Sequence, residues 1–398
     1  MKIGIYGGTF NPIHLGHMAA AKFAAEYLEL DKLLLIPAGI PPHKAMAEDT
    51  ALPEQRLAMT KLAAQSPELA GVAEVSDIEL RREGKSYTVD TLRALREQYP
   101  EDQLYLLMGT DMFLTFQYWR EPEEITKLCT LCAFGRSEKD TEELFAVQRQ
   151  YLRDTYGASV VTIVLPAIIE ISSTELRENL VKGHGQEYLT PAVYGYILRE
   201  KLYGTAADLR KLSLNDLRCV ALTMLKPKRI PHVLGTEDTA AALARRWGAD
   251  EEAARRAALL HDCTKKFNRE QHLEICRQYN IGLDEMERRE EKLLHAHTGA
   301  ALAADIFGVS RETEEAIRWH TTGKADMTLL EKIIYLADYI EPTRDFCDLT
   351  QLRQLAFEDL DAALLLGFTM AVEDLAKKGM PVHPNSVCAR DHLKGMIS

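Results

Sequence analysis

No apolar run in these 398 residues approaches the length of a membrane span, so no membrane partner is expected. Positive charge is not in excess either. Lys and Arg number 48 against 60 Asp and Glu, a formal charge of −12. That is the wrong sign for wholesale binding to a nucleic-acid backbone, so no nucleic-acid partner is expected. Signal-peptide patterning is missing, because Met1 leads straight into a strand-like run. Seven scattered cysteines, an odd number, make no disulfide framework; they suit the reduced thiols of the cytoplasm, the expected location. Cys129 and Cys132 form a lone CxxC, yet Leu-Cys-Thr-Leu-Cys-Ala-Phe around them reads as a buried strand. Internal repeats and low-complexity tracts are lacking too. What is present, 46% hydrophobic and 27% charged residues, fits globular protein with sizeable cores. The length makes two domains the natural division.

The two halves differ in texture. Strand-like runs at Ile3–Tyr6, Lys32–Pro37, Val72–Leu80, Leu104–Met108, Thr130–Phe134 and Val160–Leu165 alternate with helical patterns such as Gly16–Leu28, Glu54–Gln65 and Val89–Gln98. Alternation of this kind predicts an α/β domain, a doubly wound parallel sheet, over residues 1–203. Beyond Asp208 the chain shows amphipathic helical stretches and no strand: Ala240–Trp247, Glu251–Leu260, Arg269–Gln278, His297–Phe307, Arg311–Trp319, Leu329–Ile340 and Asp359–Lys378. An all-α domain over residues 208–398 is expected, with the joint in Gly204–Arg210.

The most informative stretch is Gly-Gly-Thr-Phe-Asn-Pro-Ile-His-Leu-Gly-His, Gly7–His17. A glycine-rich strand-to-helix turn can hold phosphates through backbone N–H groups and a helix N-terminus. His14 and His17, three residues apart, share one face of a helical turn. The turn lacks the Lys-Ser/Thr ending of a P-loop and the spacing of a dinucleotide fingerprint. Chemistry on nucleotide phosphates by other machinery is therefore expected.

Gly7–His17 resembles the HxGH signature of the nucleotidyltransferase superfamily. Within it, Met1–Tyr203 resembles bacterial nicotinate-nucleotide adenylyltransferase. Supporting motifs are Pro41-Pro42-His43-Lys44, Tyr87–Leu92, Gly109-Thr110-Asp111 with Trp119, Phe134-Gly135-Arg136, and Ile171–Arg177. The resemblance implies transfer of AMP from ATP to nicotinate mononucleotide, with release of pyrophosphate and no covalent enzyme intermediate. Positioning and charge neutralisation then matter more than a nucleophile. It implies that His14, His17, Lys44 and Arg177 act on the reacting phosphates and that Mg2+ bridges them. Gly7, Gly8, Thr9, Phe10, Ser172, Ser173, Thr174 and Arg136 would bind nucleotide, while Thr88, Asp111 and Trp119 would face the pyridine nucleotide. Ser172 also fits a plain helix cap with Glu175, and Trp119 also fits a core position. Two departures bear on the pyridine pocket: the apolar Ala38-Gly39-Ile40 turn and the aromatic Phe113–Tyr118 segment. Another acceptor, such as phosphopantetheine, would use the same HxGH and Ile-Ser-Ser-Thr motifs, although Pro-Pro-His-Lys favours the nicotinate reading.

In the helical half the order His232, His261-Asp262, His295, His320, Asp338 supplies nitrogen and oxygen donors that suit Fe, Mn, Ni or Mg. A metal so held can generate hydroxide and polarise a phosphoryl oxygen. The set resembles the HD superfamily of phosphohydrolases. Residues 208–398 are most similar to the bacterial HD family that cleaves diadenosine tetraphosphate symmetrically to two ADP. The matching pieces are Arg229–His232, Leu259–Lys265, Trp319–Gly323, Leu336–Pro342 and Arg344. The resemblance implies His232, His261, Asp262 and Asp338 as ligands of iron or another divalent transition metal. It implies Arg229, Lys265, His295, His320, Thr321 and Arg344 facing phosphates or a second metal. His297, His272 and His383 read as exposed. Action on another nucleotide, or a regulatory nucleotide-binding module, is the alternative for this half, and homo-oligomers are compatible with the sequence.

Overall fold

A computed structural model of the protein describes residues 1–40, 49–135, 140–165, 169–345 and 347–397. It divides into two compact units, Met1–Ala206 and Ala207–Ser398.

In the first unit the described strands are β1 (Lys2–Gly8), β2 (Lys32–Pro37), β3 (Ala73–Val75), β4 (Gln103–Gly109), β5 (Thr130–Phe134) and β6 (Val160–Ile163). They pair in parallel in the order β3-β2-β1-β4-β5-β6. Its helices are α1 (Leu15–Leu28), α2 (Pro53–Ala64), α3 (Thr88–Gln98), α4 (Thr110–Leu114), α5 (Pro122–Leu128), α6 (Glu142–Tyr156), α7 (Ser173–Val181) and α8 (Pro191–Arg199). The strands read as unbroken apolar runs because both faces of the sheet are covered. Alternation sends Tyr6, Leu33, Leu35, Leu107 and Cys132 to one core. Ile3, Ile5, Leu34, Leu106 and Leu131 go to the other. The doubly wound parallel sheet is the one expected.

One strand is shorter than its apolar run. Val72–Leu80 predicts a long β3, yet pairing stops at Val75. A turn at Asp77, whose carbonyl accepts from the N–H groups of Leu80 and Arg81 at 2.9 and 3.1 Å, takes the chain off the sheet edge. Cys129 and Cys132 are both buried, in opposite cores. Burial pushes each thiol up to about 12.

Strand order reverses between β1 and β4. In sheets of this kind a crevice opens there, outside the carboxyl ends of the strands. The loop after β1 carries Thr9–His14, and the turn after β4 carries Thr110 and Asp111.

The second unit contains α9 (Leu214–Met224), α10 (Ile230–Trp247), α11 (Glu251–Leu260), α12 (Arg269–Gln278), α13 (Glu285–Arg289), α14 (Glu291–Phe307), α15 (Arg311–Trp319), α16 (Leu329–Ile340), α17 (Thr350–Glu358), α18 (Leu360–Lys377) and α19 (Pro384–Ile397), with no strand among its described residues. Several helices are bounded by caps visible in the sequence. Asn268 and Gln271 cap α12 reciprocally, as Thr328 and Glu331 cap α16. Helix α10 starts well before Ala240, where its apolar pattern begins. Its early turns bury Thr236 and Glu237, and Glu237 pairs with Arg218 at 2.5 Å and Arg255 at 3.1 Å. A satisfied buried carboxylate hides the helical period. No described helix is long and apolar enough to cross a membrane.

Candidate active sites

The first site gathers at the β1–α1 turn. His14 caps α1 in extended conformation, and its backbone N–H donates to Nδ1 of His17 at 3.3 Å. With Nδ1 accepting, a neutral His17 ring carries its proton on Nε2. The two imidazoles lie 3.7 Å apart, and Phe10 packs edge-on against His17 at 5.3 Å. Gly16 has a steric reason: a Cβ there would sit 3.1 Å from the His14 ring and 3.0 Å from the Ile169 carbonyl oxygen.

Helix α7 reaches this turn. The Ser172 hydroxyl accepts from the Glu175 N–H at 3.1 Å, the capping arrangement. Ser173 donates to the Pro12 carbonyl at 3.2 Å, and Thr174 is exposed. Arg177 is buried, with Nε on Asp49 at 2.6 Å and Nη1 on the carbonyls of Asn11 at 3.0 Å and Ser173 at 3.1 Å. Asp111 opens α4 at the crevice and is exposed; Thr88 opens α3. Trp119 is half-buried against Phe116, with ring centroids 5.3 Å apart. Phe113 and Phe116 are completely buried in the core, so these two rings of the aromatic segment support the fold rather than line a pocket. Lys44 and Arg136 lie outside the described residues, as do Pro41–His43.

Arg56, which no sequence motif singles out, is 1% exposed. Its Nη1 donates to the carbonyls of Thr9 and Ala38, each at 2.8 Å. The sequence offers no signal for it beyond an arginine on an amphipathic helix.

The second site is a buried cluster at the ends of five helices: the N-terminal parts of α10 and α14, the residues just after α11 and α15, and the last turn of α16. His232 Nε2 lies 3.3 Å from His261 Nε2, 3.1 Å from Asp338 Oδ1 and 3.9 Å from Asp262 Oδ2. His261 Nε2 lies 3.6 Å from Asp262 Oδ2 and 3.8 Å from Asp338 Oδ1. On the other side of Asp262, Oδ1 is 3.3 Å from His295 Nε2, which is 3.1 Å from His320 Nε2. Cations ring the carboxylates. Arg229 pairs with Asp262, Arg344 with Asp338 at 2.5 Å, and Lys265 lies 2.8 Å from His295 Nε2. Thr321 Oγ1 is 3.1 Å from His320 Nε2.

Ring orientation tests whether these residues fit a metal. Each of the four Nδ1 atoms faces an acceptor: Glu341 Oε1 at 2.9 Å for His232, and the carbonyls of Ala258, Lys292 and Ile317, each at 2.6 Å, for His261, His295 and His320. Protons on Nδ1 leave four Nε2 lone pairs converging beside two carboxylates, the arrangement of a metal centre with its outer hydrogen bonds. Burial drives the His261 and His320 rings toward the neutral form and His295 to about 4. Burial would raise Asp262 and Asp338. Both are nonetheless held well below the usual carboxylate range, with the Lys265 ammonium beside Asp262 and the Arg344 guanidinium on Asp338. Neutral imidazoles and ionised carboxylates are what a divalent cation requires.

His383 provides a contrast. Together with Asp284 and Glu287 it forms another compact group, but its Nδ1 accepts from the Asn385 N–H at 3.1 Å. Its Nε2 therefore bears the proton and donates to Asp284 at 2.9 Å. His297 likewise pairs with Glu287 at 2.6 Å, and His272 with Thr298 at 2.9 Å. All three histidines are buried, not exposed as the sequence suggested, and each has a polar partner inside. Glu341, fully buried, received no role from the sequence. Gly235 makes room for it, since a Cβ there would lie 2.6 Å from its Oε2.

Two family descriptions match the chain: cytidylyltransferase-like over residues 5–179 and HD domain over residues 229–343. The Probable nicotinate-nucleotide adenylyltransferase of Trichlorobacter lovleyi is 38% identical over 216 residues, covering 51% of this chain and 99% of its own length. That of Thermus thermophilus is 40% identical over 205 residues, covering 51% and 100%. Among solved structures, a predicted HD superfamily hydrolase involved in NAD metabolism from Clostridium acetobutylicum is 40% identical, with a TM-score of 0.45, covering 46% of this chain and 98% of that one. Plasmodium falciparum nicotinic acid mononucleotide adenylyltransferase is 20% identical, with a TM-score of 0.43, covering 51% and 98%.

Proposed function

We propose two activities for this chain, which belongs through its first half to the nicotinate-nucleotide adenylyltransferase family and carries an HD domain in its second. The first unit joins nicotinate mononucleotide to the AMP part of ATP. A phosphate oxygen of the mononucleotide bonds to the α-phosphorus, the bond to the β-phosphate oxygen breaks, and pyrophosphate leaves. His17, with its proton on Nε2, donates to the triphosphate; His14, Lys44 and the backbone of Gly7–Phe10 share the binding of phosphate. Mg2+ accompanying ATP supplies further charge neutralisation. Thr88, Asp111 and Trp119 receive the pyridine nucleotide, and Arg136 with Ser172–Thr174 completes the nucleotide side. The observation that carries this reading is that the His14–His17 turn and Asp111 follow the carboxyl ends of adjacent strands β1 and β4, where strand order reverses. Purified protein given ATP with nicotinate mononucleotide or phosphopantetheine tests it. Dinucleotide formation from the first acceptor alone is expected, and turnover of the second alone overturns the reading.

The second unit hydrolyses diadenosine tetraphosphate to two ADP. His232, His261, Asp262 and Asp338 would hold one divalent metal, iron or a relative, and Asp262, His295 and His320 offer a second set of donors. A bound metal supplies Lewis acidity and makes water acidic enough to deprotonate near neutral pH. The chain's own part is to seat the substrate: Arg229, Lys265 and Arg344 neutralise the polyphosphate, and Thr321 hydrogen-bonds it. The carrying observation is the convergence of four Nε2 atoms on two carboxylates. Product analysis after incubation of the iron-loaded protein with diadenosine tetraphosphate tests it. ADP as the sole product is expected, whereas AMP with ATP, or no cleavage, overturns it.

A further inference from the structure

We infer that Arg56 is a positioning residue for adenylyl transfer, setting the phosphate-facing direction of the β1–α1 loop from the side opposite the substrate. The inference rests on the adenylyltransferase reading of the first unit. The loop is held by its carbonyls. Gly8 accepts from the Ala38 N–H at 2.8 Å, Thr9 from Arg56 Nη1 at 2.8 Å, Asn11 from Arg177 Nη1 at 3.0 Å and Pro12 from Ser173 Oγ at 3.2 Å. In a trans peptide the carbonyl and the following N–H point opposite ways. Drawing the Gly8, Thr9 and Pro12 carbonyls inward therefore turns the N–H groups of Thr9, Phe10 and Ile13 the other way. Phe10 adopts φ +47°, the left-handed conformation that lets successive N–H groups form an anion-binding concavity.

Arg56 is the unusual member of this set. It is a cation at 1% exposure whose single Nη1 bridges the carbonyl ends of two neighbouring strands, through Thr9 after β1 and Ala38 after β2. Tyr203 adds a brace, its hydroxyl donating to Asn11 Oδ1 at 2.9 Å. Burying a guanidinium under a loop is costly, and here its return is the orientation of two backbone segments, the second leading in sequence to Lys44. Burial also pulls its pKa below the ordinary arginine value.

The test compares full-length Arg56→Met and Arg56→Lys with the parent. Methionine keeps much of the volume and removes both hydrogen bonds; lysine restores a nitrogen on a slightly shorter stem. Arg56→Met is expected to lower kcat per folded molecule about 100-fold, the scale of a small misplacement of reacting groups. KM for nicotinate mononucleotide should change little, and ATP binding measured by calorimetry should weaken. Arg56→Lys should regain part of kcat. A kcat loss that only follows the folded fraction, or equal kcat and ATP affinity in Arg56→Met and the parent, overturns the inference. If Arg56→Met does not fold, an Arg56→Lys variant with parental kcat and ATP affinity overturns it as well. A parent without transferase activity would instead defeat the proposed function, and the calorimetry would still decide whether Arg56 shapes the ATP site.

Discussion

Nδ1 of His232 lies 2.9 Å from Oε1 of Glu341, and this contact decides which nitrogen of the ring looks into the cluster. Glu341 is itself held by the N–H of Thr343 at 2.7 Å and its hydroxyl at 2.5 Å. The imidazole thus has one orientation and one tautomer, with its Nε2 lone pair directed at Asp338 and His261. Removing such an outer partner typically costs about 10–100-fold in metal affinity. Glu341→Ala should therefore weaken binding of divalent metal by about that factor while the helices remain formed. Competition with a chelator measures it; parental affinity would show that Glu341 does not orient the ligand. Gly235→Ala, which crowds the Glu341 carboxylate, should move in the same direction.

Asp262 turns Oδ2 toward His232 and His261 and Oδ1 toward His295. Asp262→Ala should empty both donor sets and abolish hydrolysis. His320→Ala should spare the set made by His232, His261 and Asp338. Metal analysis of the two variants beside the parent separates the cases. Equal metal content in both would refute a shared carboxylate.

His17→Ala removes the proposed Nε2 donor and the acceptor for the His14 N–H. Loss of one such preorganised donor costs about 10²–10³ in kcat, so adenylyl transfer should fall by that much. Hydrolysis by the second unit should stay at the parental rate. Parallel loss of both activities would contradict two separate sites.

Cys132 supplies a pH test. Its thiol is pushed up to about 12 in the fold, against about 8.5 in an unfolded chain. Above that lower value the unfolded state sheds a proton that the folded state keeps. Stability of the first unit should therefore fall as pH rises, by about 1.4 kcal/mol per pH unit for each such thiol. Cys132→Ala should be less stable at neutral pH, because it leaves a cavity, yet show a shallower alkaline loss. Denaturant unfolding between about pH 9 and 11 measures the slope, and identical slopes would exclude the buried thiol as a cause. In the native protein, thiol reagents should modify exposed Cys347 and Cys388 well before Cys129, Cys132 and Cys263.

Much of this molecule is legible in one dimension. Strand–helix alternation announces the parallel sheet, and Glu251–Leu260, Arg269–Gln278, Arg311–Trp319 and Leu329–Ile340 have the bounds of helices α11, α12, α15 and α16. Apolar period and capping pairs are local properties, so short windows carry them. Sequence and structure differ where burial and polarity part company. The buried Glu237 hides the start of α10, and His272, His297 and His383 look like surface residues because their partners Thr298, Glu287 and Asp284 lie elsewhere in the chain.

The sequence by itself determined which chemistry-bearing residues are present, on which kind of element each sits, and hence the two families. Tertiary structure alone decided what each group faces. It turned Arg177 onto the Asn11 carbonyl and Asp49, sent Cys129 and Cys132 to opposite faces of one sheet, and brought Glu341 beneath His232 and Arg56 beneath Thr9. The physical reason is that spacing constrains neighbours within a turn or two of the chain. A hydrogen bond between Arg56 and Thr9, or His232 and Glu341, depends on how whole helices and strands pack, and that is settled only when the cores close.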